Sequence, residues 1–226
     1  AKTRLIPFEF STTQTYILEF GNQYMRFYRD NGQILSGGSP FEISTPYLTA
    51  ELFDIKFAQS ADVMYITHPN HQTRKLSRTG HTSWTLTAVD FTNGPYLDTN
   101  TSTTTITASA HTVGTGRTFT ASASTFVSTD VDRLIRFRDG YAKVTGFTSA
   151  TVVTVEIIKD TGSTSASTDW SLGAFSDTTG HPSCVSFFEQ RLVFAATLSQ
   201  PQTVFFSKSG DYENMDANIG GTVADD

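Results

Sequence analysis

The sequence predicts an all-β protein, built as a partial β-propeller of four-stranded blades with an inserted small β-barrel-like domain. Three observations lead to this prediction. Aromatic and β-branched residues favour strands, and the 226 residues include 18 Phe and 8 Tyr. Three segments repeat one pattern of short alternating strands that ends at Gly. A Thr- and Ser-rich stretch with alternating strands of its own separates the second segment from the third.

The repeat has the length of a propeller blade. Phe57 in the second segment lies 47 residues after Phe10 in the first. A period of about 40 to 50 residues, read as a four-stranded unit, is typical of β-propellers. Fourth strands are expected over 41–43 and 84–89, so residues 1–94 are predicted to form the first two propeller-like blades.

Residues 95–180 are predicted to be the insertion, a Thr/Ser-rich segment followed by a small β-barrel domain. The Thr-rich part is expected to be a loop or short edge strands, such as 103–107 and 118–121. The second part alternates apolar and polar residues over 133–138, 141–147 and 151–158. Asp139-Gly140 is expected to turn between the first two of these strands, and Trp170 and Phe175 to cap the sheet. Residues 181–226 are predicted to return to the propeller as an incomplete third blade.

Composition limits the classes of function. The formal net charge of −6 argues against nucleic-acid binding by counterion release, which requires clustered Lys and Arg. The same charge suits a wall past which DNA slides without binding. No apolar stretch approaches the length of a membrane span, so none is predicted. Cys184 is the only cysteine, which excludes an intrachain disulfide, and its place at the start of a strand predicts a buried structural thiol.

The residues that could support catalysis do not form a recognisable constellation. The sequence has no Gly-x-Ser-x-Gly elbow and no phosphate-binding loop. His68 and His71, with His81, form the only histidine cluster, but Pro69 lies between the first two. An exposed polar turn is therefore expected there, and no metal and no cofactor are predicted. A glycosidase would need paired carboxylates, and the candidates all lie in or beside turns: Asp130, Asp132, Glu189, Asp211 and Glu213. The chain is predicted not to be an enzyme.

Four basic residues are candidates for an assembly or DNA-phosphate contact: Arg133, Arg136, Arg138 and Lys143. Arg136 and Arg138 are two apart and are expected to share one face of a strand. Such a patch fits an acidic neighbouring subunit or a DNA phosphate. A solvated strand face is the simpler interpretation, and it is favoured.

Several ordered motifs carry a resemblance to a known family. They include Arg4-Leu-Ile-Pro-Phe-Glu-Phe-Ser, Asp62-Val-Met-Tyr-Ile-Thr-His-Pro and, most specific, Gly180-His-Pro-Ser-Cys-Val-Ser-Phe-Phe-Glu-Gln-Arg-Leu-Val-Phe-Ala. Within and after the last of these, Phe-Phe-x-x-Arg-Leu and Ser-x-x-x-Asp-Tyr-x-Asn stand at 187–192 and 207–214. The chain resembles tail tubular protein B, the nozzle of short-tailed bacteriophages, over nearly its whole length.

The resemblance implies a structural subunit of a six-fold homo-oligomeric ring, with propeller-like domains around the DNA ejection channel. The implied partners are further copies of the chain, the head–tail adaptor, and tail fibre or tip proteins, with DNA passing through the lumen without sequence-specific binding. The implied location is the virion tail, assembled in the cytoplasm of the bacterial host. Family members are much longer, so the chain is expected to be an internal portion, and the family offers no catalytic residues to carry over.

Three other functions stay open. The first is a tail hub or tip module that binds the host surface as a glycan-binding adhesin. The second is a tail-associated hydrolase with two converging carboxylates. The third is a hub or stopper protein of a long-tailed phage that shares the same domains.

Overall fold

The structure, a computed structural model, describes residues 2–11 and 14–216. The all-β prediction is confirmed, because these residues form strands and one short 3₁₀ turn, Ser128–Asp130, and no α-helix. Over the same residues, no helix is long and apolar enough to cross a membrane. The end of the predicted third blade, residues 217–226, lies outside the described residues.

Two compact units divide the chain. The first takes the described residues within Ala1–Asp90, His181–Phe188 and Val193–Val204. The second takes those within Phe91–Gly180, Glu189–Leu192 and Phe205–Asp226.

The first sheet of the first unit is antiparallel and follows the chain. Its strands are β1 (Arg4–Ser11), β2 (Gln14–Gly21), β3 (Tyr24–Arg29) and β4 (Gly32–Gln33), paired in that order. β5 (Leu35–Ser36) and β6 (Ser39–Pro40) pair with each other, and β7 (Glu42–Ser44) returns to pair with β3. A strand expected over 41–43 is therefore present as β7, but it is the fifth strand of this sheet and not the fourth.

The second sheet is a four-stranded antiparallel meander. Its strands are β8 (Lys56–Ser60), β9 (Val63–His68), β10 (His71–Gly80) and β11 (Ser83–Ala88), and each pairs with the next along the chain. The fourth strand expected over 84–89 is β11. Each connection between these strands is short, so register is set by the turns and by which residues face the core.

One hydrophobic core serves both sheets. Phe8, Leu18 and Phe27 from the first sheet are fully buried against Met64 and Trp84 from the second. Strand geometry explains which residues are buried, since every second residue of a strand points to the same face. The two sheets therefore stabilise each other through their inner faces.

The second unit contains a six-stranded antiparallel sheet that curls into a half-barrel. Its strands are β12 (Ile106–Ala108), β13 (Gly114–Ala121), β14 (Leu134–Phe137), β15 (Gly140–Ser149), β16 (Val152–Lys159) and β17 (Trp170–Leu172). The order across the sheet is β12-β13-β16-β15-β14-β17. The edges approach each other, because Trp170 Nε1 donates to the Thr104 carbonyl at 2.9 Å and Ile106 bridges to Ser167.

The Thr-rich segment contributes to the core of this sheet. Ile106 and Phe119 are fully buried, and the Phe119 ring lies 5.3 Å from that of Phe137. Trp170 does not cap the sheet as expected, since it belongs to the edge strand β17 and packs in the same core. The segment forms strands with bounds shifted by a few residues, but only β12 is an edge strand, because β13 pairs with both β12 and β16.

The hairpin between β14 and β15 turns one residue earlier than expected. Phe137 pairs with Gly140, so the turn residues are Arg138 and Asp139, and Arg138 adopts a φ of 54°. The prediction of an Asp139-Gly140 turn is wrong because Gly140 serves another purpose. It is buried, and a Cβ at this position would come within 3.0 Å of the backbone carbonyls of Lys159 and Asp160.

Gly140→Ala is therefore expected to destabilise the protein by about 1 to 3 kcal/mol, because backbone atoms cannot make room as a flexible side chain can. Gly146→Ala is the matched control on the same strand, since its Cβ would meet only Thr154 at 3.6 Å. Urea unfolding of both variants measures the difference. Equal stability of the two would contradict the close approach at Gly140.

The remaining strands are β18 (Cys184–Phe188), β19 (Arg191–Ala195) and β20 (Val204–Phe206), which form a three-stranded sheet in that order. Cys184 is exposed, so the prediction of a buried thiol is wrong. The reason is register: burial alternates along β18, and Cys184, Ser186 and Phe188 occupy the exposed positions.

Candidate functional site

Arg133, the first of the four predicted contact residues, is buried. Its side chain is 3% exposed, and Nη1 donates to Asp130 Oδ1 at 2.7 Å across the 3₁₀ turn. Nε donates to the Gly173 carbonyl at 2.8 Å, while the Thr178 hydroxyl donates to the same Asp130 oxygen. Burial lowers the pKa of Arg133, and the charge of Asp130 acts in the opposite direction. These contacts place Arg133 inside the second unit.

Arg136 and Arg138 do not share a strand face, which corrects the sequence prediction. β14 ends at Phe137, and Arg138 lies in the following turn. Arg136 forms an ion pair with Asp169 at 2.8 Å. Arg138 donates through Nη2 to the backbone carbonyls of residues 165 and 166, both at 3.2 Å.

Lys143 lies on the face of β15 that points away from the core. Its Nζ is 3.5 Å from Asp132 Oδ1, and Glu156 stands opposite it in the register of β15 and β16. Three of the four predicted contact residues thus have an acidic neighbour within the unit, and the fourth binds carbonyls. A contact with DNA phosphate or with a neighbouring subunit stays a prediction.

The histidine turn differs from the exposed polar turn that the sequence predicted. His68 ends β9 and is only 1% exposed, and His71 begins β10 and is half-buried. The turn residue Asn70 is itself exposed, but the flanking His71 meets a carboxylate: Glu51 Oε2 and His71 Nε2 are joined by a hydrogen bond of 2.9 Å. One ligand atom from each of Glu51, His68 and His71 lies within 4.8 Å of the others.

Burial and neighbouring groups shift the pKa values of two residues in this cluster. Burial lowers the pKa of His68, and the neighbouring His71 lowers it further. Burial acts to raise the pKa of Glu51, but the Leu48 backbone N–H and His71 outweigh it, so that pKa lies below its ordinary value.

Tyr47 covers one side of the cluster. Its ring centroid lies 5.9 Å from that of His68 and 5.3 Å from that of His71. Burial raises the pKa of the Tyr47 phenol. The charge of Arg74 lowers this pKa, and that of Glu51 raises it. The phenol oxygen is buried and has no hydrogen-bond partner.

His81, the third histidine, lies elsewhere. It is hydrogen-bonded to the Tyr16 phenol at 2.7 Å, and Arg29 Nη1 donates to its Nε2 at 2.8 Å. Sequence reasoning missed Glu51, because that residue is 17 positions before His68 in a connecting segment without a spacing signal. The two His residues carried the only sequence signal of this cluster.

Comparison with known proteins adds no relative. No protein-family model matches the chain, and no curated protein matches its sequence.

Proposed function

We propose that this chain is part of a structural subunit of a bacteriophage tail nozzle, which forms a ring around the DNA ejection channel. The observation that carries the proposal is the series of ordered motifs along the chain, of which the segment at 180–195 is the most specific. A series of motifs in a fixed order is much harder to produce by chance than one short match.

The structure gives the motif residues physical roles. In Phe-Phe-x-x-Arg-Leu, the two unspecified positions are Glu189 and Gln190, which turn between β18 and β19 with φ values of 44° and 59°. Arg191 then donates to the Ser207 carbonyl at 2.9 Å. Ser207 Oγ accepts the Leu192 backbone N–H at 2.8 Å. The spacing of the motifs therefore corresponds to the hairpin and to the contacts of its second strand.

The sheets of the first unit support propeller-like domains. Two antiparallel sheets follow each other along the chain and bury one shared core. Successive propeller blades have this arrangement, since each is a small antiparallel sheet that packs face to face on the next. In the proposed subunit these sheets are the first two blades, and β18 to β20 begin a third.

The surface supports assembly around DNA. The net charge of −6 disfavours adhesion to a polyanion. Leu5, Pro7 and Ile17 lie together on the outer face of the first sheet, where Leu5 is 64% exposed and Ile17 40%. Exposed apolar surface of this kind is suited to burial between subunits, and identical subunits close into rings through head-to-tail contacts.

The test is the oligomeric state and shape of the full-length gene product that contains this chain. Mass photometry is expected to give a single hexameric species, and negative-stain images a six-fold ring with a channel wide enough for duplex DNA. A compact monomer or a trimeric stalk would contradict the proposal and favour a tip module that binds the host surface.

A further inference from the structure

We propose that Glu51, His68 and His71 form a binding site for one divalent transition-metal ion of the zinc class. The site lies in the first unit, between the segment after β7 and the hairpin of β9 and β10. It is independent of the proposed nozzle function.

The donor atoms have nearly the spacing that such an ion requires. Zn²⁺ binds imidazole nitrogen and carboxylate oxygen at about 2.0 to 2.2 Å, which places tetrahedral ligand atoms about 3.4 Å apart. Glu51 Oε2 and His71 Nε2 are 2.9 Å apart, and all three donors lie within 4.8 Å of one another.

His68 supplies a second, independent observation. The residue is 99% buried, and its Nε2 has no hydrogen-bond partner. The Glu51 backbone carbonyl lies close to the ring but does not satisfy this atom. An unsatisfied buried polar atom destabilises the fold, and coordination of a metal through Nε2 would satisfy it.

The donor set indicates the class of metal. Ca²⁺ and Mg²⁺ select oxygen ligands, whereas two imidazoles and one carboxylate suit zinc and its neighbours. Three protein ligands leave a fourth position for water.

Metal binding has a specific consequence for the turn. The Asn70 backbone N–H donates to His68 Nδ1 at 3.1 Å. A metal on Nε2 requires the ring proton on Nδ1, which removes that acceptor, and a metal on Nδ1 would displace the N–H directly. The Asn70 amide therefore reports on metal binding through either ring nitrogen of His68.

Calorimetric titration of the untagged, metal-free 226-residue chain with Zn²⁺ tests the proposal. One Zn²⁺ per chain is expected. Loss of one ligand in Glu51→Gln or His71→Gln is expected to weaken binding by more than about a hundredfold, because loss of only an outer hydrogen bond costs 10- to 100-fold. His111→Gln is the matched control, since the His111 side chain is 45% exposed and pairs with Asp160 in the other unit. This variant should bind Zn²⁺ as the parent does.

Two further readouts do not depend on the variants. At a hundredfold excess of Zn²⁺ over its dissociation constant, the melting temperature should rise by about 5 to 11 °C. The Asn70 amide resonance should also shift on titration. The proposal is wrong if Zn²⁺ does not bind at millimolar concentration, if Glu51→Gln and His71→Gln bind it as the parent does, or if the Asn70 amide does not respond.

Discussion

Arg133→Met is expected to lower the free energy of unfolding by about 3 to 5 kcal/mol, the cost of removing one partner of a buried ion pair. The pair with Asp130 is 2.7 Å long, and the two side chains are 3% and 2% exposed. The Met side chain fills much of the same volume, but it leaves the Asp130 carboxylate buried without its counter-charge. Denaturant unfolding followed by tryptophan fluorescence measures the change.

The double variant Asp130→Asn/Arg133→Met separates charge from packing. Asp130 accepts from Thr178 and from the Val127 backbone N–H on separate oxygens, and Asn keeps an acceptor for one of the two. Because no charge stays buried, the double variant is expected to regain part of the loss. Arg136→Met is the control at a more exposed ion pair, since the side chains of Arg136 and Asp169 are 19% and 54% exposed and surface pairs contribute about 0 to 1 kcal/mol. A loss in Arg133→Met no larger than in this control would contradict the burial of the pair.

Trp84→Ala is expected to cost about 3 to 5 kcal/mol, because it leaves a cavity between the two sheets of the first unit. The Trp84 ring from β11 packs on three rings from the first sheet: those of Phe8 at 4.8 Å, Tyr16 at 5.2 Å and Phe27 at 4.6 Å. Its Nε1 also donates to the His81 carbonyl at 3.1 Å. Calorimetry gives the change in unfolding enthalpy and temperature.

Phe53→Ala is the matched control, since this ring is 61% exposed and its removal opens no cavity. Trp84→Phe keeps most of the ring contacts and should fall between the two. If Trp84→Ala unfolded no more easily than Phe53→Ala, the two sheets would not share the core described above.

The strands of the first unit could be predicted because alternation was visible in the sequence. β10 and β11 place the core residues Leu76 and Trp84 at positions with polar neighbours on both sides. The Thr-rich segment was harder, since Ile106 and Phe119 are isolated apolar residues in a polar context. Their burial depends on strands that come later in the chain, which local pattern cannot supply.

The side-chain clusters could be predicted only in part. His68 and His71 gave a spacing signal, but the third member of the cluster, Glu51, comes from a separate segment of the chain. Cys184 shows the opposite limit, since apolar neighbours suggested burial while strand register placed the thiol outside. The position of the turn at Arg138 was also not predictable from local pattern. Gly140 is required by a close backbone approach, which the sequence does not show.

The strand order determines how much conformational entropy the chain loses when each sheet forms. In the meander of β8 to β11 every pairing closes a loop of only a few residues, so each contact forms at small entropic cost. In the six-stranded sheet, β13 pairs with β16 and must enclose the β14–β15 hairpin to do so. The entropy loss on forming that sheet is therefore smallest when β14, β15 and β16 pair first and β13 then pairs with β16.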